Sequence, residues 1–286
     1  MQDFSIDTLE LIVDMAPANG YLLQTPIEGL DGPNHRTGSY SRPGRHGVTV
    51  SSIFYGERLI KLRGKVIGTS AADFEDKRQA LINALAVTKD ENGYPTPTRL
   101  SFTTLAGRSY YVDAYFDKPI MDLYTPASCE FMVTALVGDS FIYGATTVNS
   151  GNISRPSGGG YVVPMVLPYD SAPSSGGTIT VTNDGTEESL PLITLTGLLT
   201  NPIITNDTTG KFIQLEYTLA SGDTAVIDMN ELLITLNDSA SLIGSKTITS
   251  DWWGIAPGDN SISITTDSPS DDGFATLSFN AAYLGI

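Results

Sequence analysis

Two histidines, one cysteine and two tryptophans in 286 residues leave little material for the usual catalytic pairings. His35 and His46 stand in one Gly/Pro-rich segment without a patterned carboxylate partner, which is a poor metal-ligand arrangement. The lone Cys129 excludes an internal disulfide and a multi-cysteine metal site. It shares one face of an alternating segment with Phe131, Val133 and Ala135, where a thiol is buried and inert. Also missing are the paired histidines of zinc proteases, a nucleophile elbow, an EF-hand loop and a nucleotide loop. The triple glycine at 158–160 is followed by no Lys-Ser/Thr. The sequence therefore predicts a protein that is not an enzyme and carries no cofactor and no metal. No apolar run approaches the roughly 20 residues that span a bilayer. Met1-Gln2-Asp3-Phe4 lacks the basic and apolar pattern of an export signal. The expectation is no membrane insertion and synthesis and assembly in the cytoplasm.

Positive charge is scarce as well, at 16 Lys+Arg against 32 Asp+Glu and a net charge of -16. A chain this acidic repels phosphate backbones, which argues against sequence-specific nucleic-acid binding. The imbalance is uneven. Up to Val148 there are 13 basic and 17 acidic residues, and after it 3 and 15. That shift, with the Gly/Ser/Asn-rich stretch that follows, predicts a first domain over 1–148, a linker over 149–160 and a second domain over 161–286.

What the first domain does contain is a strand running into one convincing helix. From Arg58 to Gly68 residues alternate, with Ile60, Leu62 and Val66 on one face and Lys61, Arg63 and Lys65 on the other. Ser70 is a helix cap with Asp73 at the capping-box position. Phe74, Arg78, Leu81, Ile82 and Leu85 then form a stripe that can lie on a sheet, and Asn92-Gly93-Tyr94-Pro95 follows as a stop. Residues 99–105 and 108–117 alternate around Ala106-Gly107 as a hairpin, and 128–137 completes the sheet. Residues 26–47, rich in Gly, Pro and Arg, form a long loop or an extended hairpin arm carrying Arg36, Arg42 and Arg45. Such an arm suits a reach onto a neighbouring subunit, where basic residues can meet carboxylates, and an exposed loop without a partner is the alternative reading.

In the second domain every periodic segment has period two, at 178–182, 190–196, 211–219, 224–229, 231–236, 261–265 and 274–283. The reading is a β-sandwich. Asp228 is placed to cap a turn, and Asp267, Asp271 and Asp272 to form an acidic hairpin loop. Trp252 and Trp253 are adjacent, so in a strand one would enter the core and the other face solvent, where it could stack on a sugar ring or a partner protein. Packing alone would also account for both.

Ser250-Asp251-Trp252-Trp253-Gly254-Ile255-Ala256-Pro257-Gly258-Asp259-Asn260, preceded by Leu198-Leu199-Thr200-Asn201-Pro202 and by Ala220-Ser221-Gly222-Asp223 with Ile227-Asp228, resembles the carboxy-terminal domain of distal tail proteins of long-tailed, siphovirus-type bacteriophages. Residues 56–68 and the helix after them are similar to that family's amino-terminal belt segment. The resemblance implies a mainly β protein, with an N-terminal α+β belt domain that packs one helix on a sheet or sandwich and a C-terminal galectin-like β-sandwich. It implies a homo-hexameric ring at the phage tail tip of the virion, joining the tail tube protein to the tail-tip protein and offering a platform for receptor-binding proteins. Resemblance and pattern together put the assembly surface on Arg36, Arg42 and Arg45 of the arm and on Arg58, Lys61, Arg63 and Lys65 of the strand. The competing reading is an adhesin whose sandwich holds host cell-surface saccharide through Trp252 or Trp253. A glycosidase would need a carboxylate pair that nothing in the sequence brings together.

Overall fold

Alternation of apolar and polar side chains shapes strands such as Arg58–Ile67 and Ser128–Val137 of the first unit, which comprises Met1–Ala145 and Tyr283–Ile286. The computed structural model describes residues 3–13, 19–156 and 177–286. The unit starts with β1 (Asp3–Ile6), β2 (Leu9–Val13), β3 (Tyr21–Glu28), β4 (His35–Ser41), β5 (Val48–Tyr55), β6 (Arg58–Ile67) and the helix α1 (Ala71–Ala84). A small hairpin of β7 (Thr88–Lys89) and β8 (Pro95–Thr96) precedes β9 (Thr98–Thr103), β10 (Ser109–Phe116), β11 (Ile120–Thr125), β12 (Ser128–Val137) and the start of β13 (Ile142–Asn149). Ten residues of β12 pair with ten of β6, from Ser128 opposite Ile67 to Val137 opposite Arg58. From β6 the pairing runs through β3, β2, β1, β9 and β10, and β10 returns to β12 at Ala114–Phe116. The sheet thus closes on itself, and closure removes the open edges that a half-buried sheet would otherwise expose. Ile60, Leu62 and Val66 face a core shared with Phe102, Val112 and Phe131.

The helix begins where the sequence places it. Ser70 Oγ accepts the Asp73 amide at 3.2 Å. Asp73 Oδ2 reaches back to the amide of Thr69 at 2.7 Å, one residue earlier than a capping box would have it. That amide, with Lys77 and the Thr69 hydroxyl, holds the Asp73 carboxyl down at about 2. Phe74, Leu81 and Leu85 are buried as expected. Arg78 is exposed, and Lys77 takes the sheltered place instead, because its ammonium is drawn in by Asp73 at 2.9 Å. Cys129 is buried, and that burial raises its thiol pKa.

Arg58 corrects the expected assembly surface, because its side chain is fully buried. Its guanidinium donates to the backbone oxygens of Gly29 at 2.8 Å, Ser140 at 2.9 Å and Leu284 at 2.6 Å. Burial lowers its pKa, against the pull of Asp139 and Asp31. Position 58 has the parity of Ile60 and Leu62, so the pleat points it inward.

The second unit, Thr146–Ala282, is a two-sheet sandwich. One sheet orders the strands Thr178–Asn183, Gly258–Thr265, Ile203–Asn206 and Lys211–Gln214. The other runs from Phe274–Tyr283 through Leu192–Thr196, Thr224–Asp228 and Leu233–Leu236 to Ala240–Ser241. Between them lie Ile193, Ile213, Ile227, Ile264, Leu277 and Trp253. The expected single strand over 211–219 is two: Lys211–Gln214 pairs with Ile203–Asn206, while Thr218–Leu219 pairs with Leu199–Thr200. The break comes where the Glu216 amide turns to the Ser245 carbonyl at 2.7 Å. Of the stretch expected as linker, Ile153–Ser154 pairs with Ala275 and Phe274 inside this unit. Residues 157–160, with the triple glycine, and residues 161–176 lie outside those described.

Candidate assembly surface

The segment between β3 and β6 leaves the barrel as a hairpin. β4 and β5 pair from His35 opposite Tyr55 to Ser41 opposite Val48, with a bulge after Gly38, and among the described residues no third strand joins them. Two-stranded hairpins are marginal in water unless something covers a face. This one exposes Ile53 at 60 %, Tyr40 at 59 %, Phe54 at 57 %, Val48 at 52 % and Val50 at 50 %. Aromatic and β-branched side chains at that exposure, on a strand pair with two open edges, make an adhesive surface. Between Pro33 and Gly56 there is no Asp or Glu, while Arg36, Arg42 and Arg45 add three positive charges. Arg36 stacks over the Phe54 ring at 5.8 Å, and Arg42 Nε donates to Thr49 Oγ1 at 3.0 Å, so the two arginines stiffen the hairpin. Arg45 is exposed at the tip, in the turn that its amide closes on the Arg42 carbonyl. Among the described residues no ion pair involves Arg36, Arg42 or Arg45.

The other expected surface cations behave differently. Lys61 is 2.8 Å from Glu28, Arg63 is 3.6 Å from the same carboxylate, and Lys65 is 2.9 Å from Glu130. The hydrogen bond and charge of Lys61 lower the Glu28 pKa. These three lie on the outward face of β6, half exposed and neutralised within the chain, so they offer a partner less than the arm does. Exposed pairs of this kind contribute little to stability, because solvent screens them.

Trp253 is also a correction. It is 1 % exposed and packs in the sandwich core, where no sugar ring can reach it. Its neighbour Trp252 is half-buried, with the Lys246 ammonium 5.5 Å from its ring centre. The loop around them is pinned from several sides. Glu188 Oε1 accepts the Gly254 amide at 2.9 Å, and a Cβ on Gly254 would stand 2.5 Å from the Glu188 Cγ. Buried Asn183 donates to the Ile255 carbonyl at 2.8 Å, and buried Asn260 to the Ala256 carbonyl at 2.7 Å. The conspicuous run from Trp252 to Asn260 is thus a packing and loop-fixing motif. The acidic residues are spent similarly. Asp228 accepts the amides of Asn230 and Glu231, and Asp271 those of Thr200 and its hydroxyl at 2.7 and 3.1 Å.

What the sequence reading missed is the second half of the arm. The Gly/Pro/Arg-rich composition ends the arm at residue 47, yet the apolar strand Val48–Tyr55 is its returning half. The signal was present as Arg-Pro-Gly-Arg-His-Gly, a turn cluster between two extended segments.

Residues 184–283 match the family model of the siphovirus-type tail component C-terminal domain, and residues 21–94 that of the phage tail protein RIFT-related domain. No curated protein sequence matches the chain significantly. Among solved structures, the Dit protein (gp 19.1) of phage SPP1, described as a paradigm of the hub adsorption apparatus in phages infecting Gram-positive bacteria, superposes with a TM-score of 0.68 at 14 % identity, over 99 % of either chain. Chains of the phage p2 baseplate in its activated conformation, with strontium and with calcium, give TM-scores of 0.51 and 0.52 at 11 % identity, over 97 % of this chain and 98 % of theirs.

Proposed function

The chain belongs to the distal tail protein family, and from that premise we propose that it is a structural hub of a phage tail, built as a closed ring whose copies are joined by the β4–β5 arm. The single observation that carries the arm's part is its surface: apolar, cationic, free of carboxylates, and joined by no third strand among the described residues. The rest of an acidic chain is the natural counter-surface, so the partner that fits the arm is another copy. Head-to-tail contacts of this kind either close into a ring or run on as a filament, and the family resemblance points to a hexameric ring. The ring sits at the tail tip of the virion after assembly in the host cytoplasm. It lies between the tail tube protein and the tail-tip protein, and the second units carry host-recognition components. The work is positional and needs no catalytic step.

Light scattering over a dilution series, with negative-stain images of the same sample, tests the ring. A closed particle of about six chains that persists on dilution, and that falls apart when residues 36–54 are replaced by a short Gly/Ser turn, supports the reading. A chain that stays monomeric at every concentration and on purified tail tubes overturns it. The adhesin reading rests on Trp252 alone now that Trp253 is in the core, and no observation favours it over the hub.

A further inference from the structure

Both roots of the arm converge on one buried cation. Gly29 precedes the arm and Gly56 follows it. Arg58 donates to the Gly29 carbonyl at 2.8 Å, and to Ser140, whose hydroxyl in turn donates to the Gly56 carbonyl at 2.9 Å. The third acceptor of the same guanidinium is the Leu284 carbonyl, at 2.6 Å, only two residues from the end of the sequence. The final residues grip the outgoing root directly: the Ile286 amide donates to the Leu30 carbonyl at 3.2 Å. Gly285 lies so close that a Cβ there would stand 1.9 Å from the Asp31 carbonyl oxygen. Across the two roots the Gly56 amide donates to the Asn34 carbonyl at 2.7 Å, and the Tyr55 ring meets Phe141 edge-on at 6.1 Å. The Arg58 Nε is buried without a hydrogen-bond partner among the described residues. A buried guanidinium left partly unsatisfied is an expensive way to stabilise a barrel that already has a closed apolar core. Its three bonds go to three separate segments, which fixes their mutual geometry.

We propose that Arg58 and the segment Leu284–Ile286 form a clamp that sets the direction of the β4–β5 arm and so positions it for assembly. The proposal rests on the arm's role in ring closure for its consequence, and on the structure of the first unit alone for its mechanism. A hairpin anchored at two flexible roots samples many directions, and each copy must then lose that freedom on docking. A clamped root has lost it in advance.

Two variants of the full chain test this: one ending at Tyr283, and Arg58→Lys, which keeps the charge but cannot span three acceptors. Hydrogen exchange followed by mass spectrometry reads the roots at residues 29–34 and 55–57. The expected result is amide exchange at the roots faster by about tenfold or more, with exchange in β9, β10 and the second unit unchanged. The concentration at which the ring forms rises by a similar factor. Unchanged exchange at the roots overturns the clamp, and so does a uniform rise across the first unit, which would mark Arg58 and the terminal residues as general stabilisers. The truncated chain keeps Arg58 in place, so a folding failure of the substitution does not remove the test. If the parent chain forms no ring, the ring reading fails by itself, while root exchange still decides the clamp.

Discussion

The arm and the tryptophan loop are the two places where large side chains and an unusual sequence coincide, and the structure treats them in opposite ways. In the loop, Trp253 is sealed in the sandwich and three side chains, Glu188, Asn183 and Asn260, tie down the backbone around it. In the arm, Ile53 and Phe54 stand exposed on a hairpin that no further strand joins among the described residues. The difference separates two uses of apolar surface. Surface buried within the chain contributes to folding of the monomer. Surface left out is available only to another molecule. The same residue types therefore predict different phenotypes according to where the chain puts them.

The largest effect belongs to the loop. Trp253→Ala is expected to destabilise the second unit by about 3–5 kcal/mol, the usual range for emptying a buried Trp site, read as a lower denaturant midpoint for that unit. A midpoint unmoved by the substitution would return Trp253 to the surface and erase the contrast.

Acid sharpens the comparison from a different side. Asp73 is held at about 2 in the folded chain, below its ordinary 3.8, by the Thr69 amide and Lys77. A depressed folded pKa means stability that is complete above about pH 4 and lost as pH falls through about 2. The parent chain should therefore lose its advantage over Asp73→Asn between these limits, as measured by urea midpoints at pH 6, 4 and about 2. Residues 33–56 contain no carboxylate, so any acid response of the arm itself must come from what it touches. A pH-independent gap between parent and variant would show that Asp73 acts through packing and not through its charge.

The smallest effect on stability is expected from the arm. Replacing Ile53 and Phe54 together by Ser should shift monomer stability by no more than about 0.5 kcal/mol, while raising the concentration needed for ring formation. A large loss of stability with assembly unchanged would make the arm an internal element and invert the comparison.

Much of the fold is legible in period and punctuation. The strand Arg58–Ile67, the hairpin around Gly107, the strand Ser128–Val137 and the Ser70 cap stand where alternation and turn residues put them. These depend on local rules, in which each side chain's face follows from its own position. The site was less legible. The charge of Arg58 suggests a surface residue, although its parity with Ile60 and Leu62 places it on the buried face. What parity could not supply was three carbonyls from segments 29, 82 and 226 residues away in sequence. The split of residues 211–219 between two pairings failed for the same reason, since partner choice is non-local.

By itself the sequence determined the β-rich architecture, the helix after Ser70, the acidity that rises towards the C-terminal half and the scarcity of catalytic side chains, because each is a matter of composition or of spacing along one element. Only the tertiary structure decided that the barrel closes, that Trp253 is inside, that Arg58 is a buried junction and that the apolar side chains of the arm are exposed among the described residues. Those outcomes depend on which distant segments meet, and hydrogen bonds and burial between distant segments have no signature in the local period of either one.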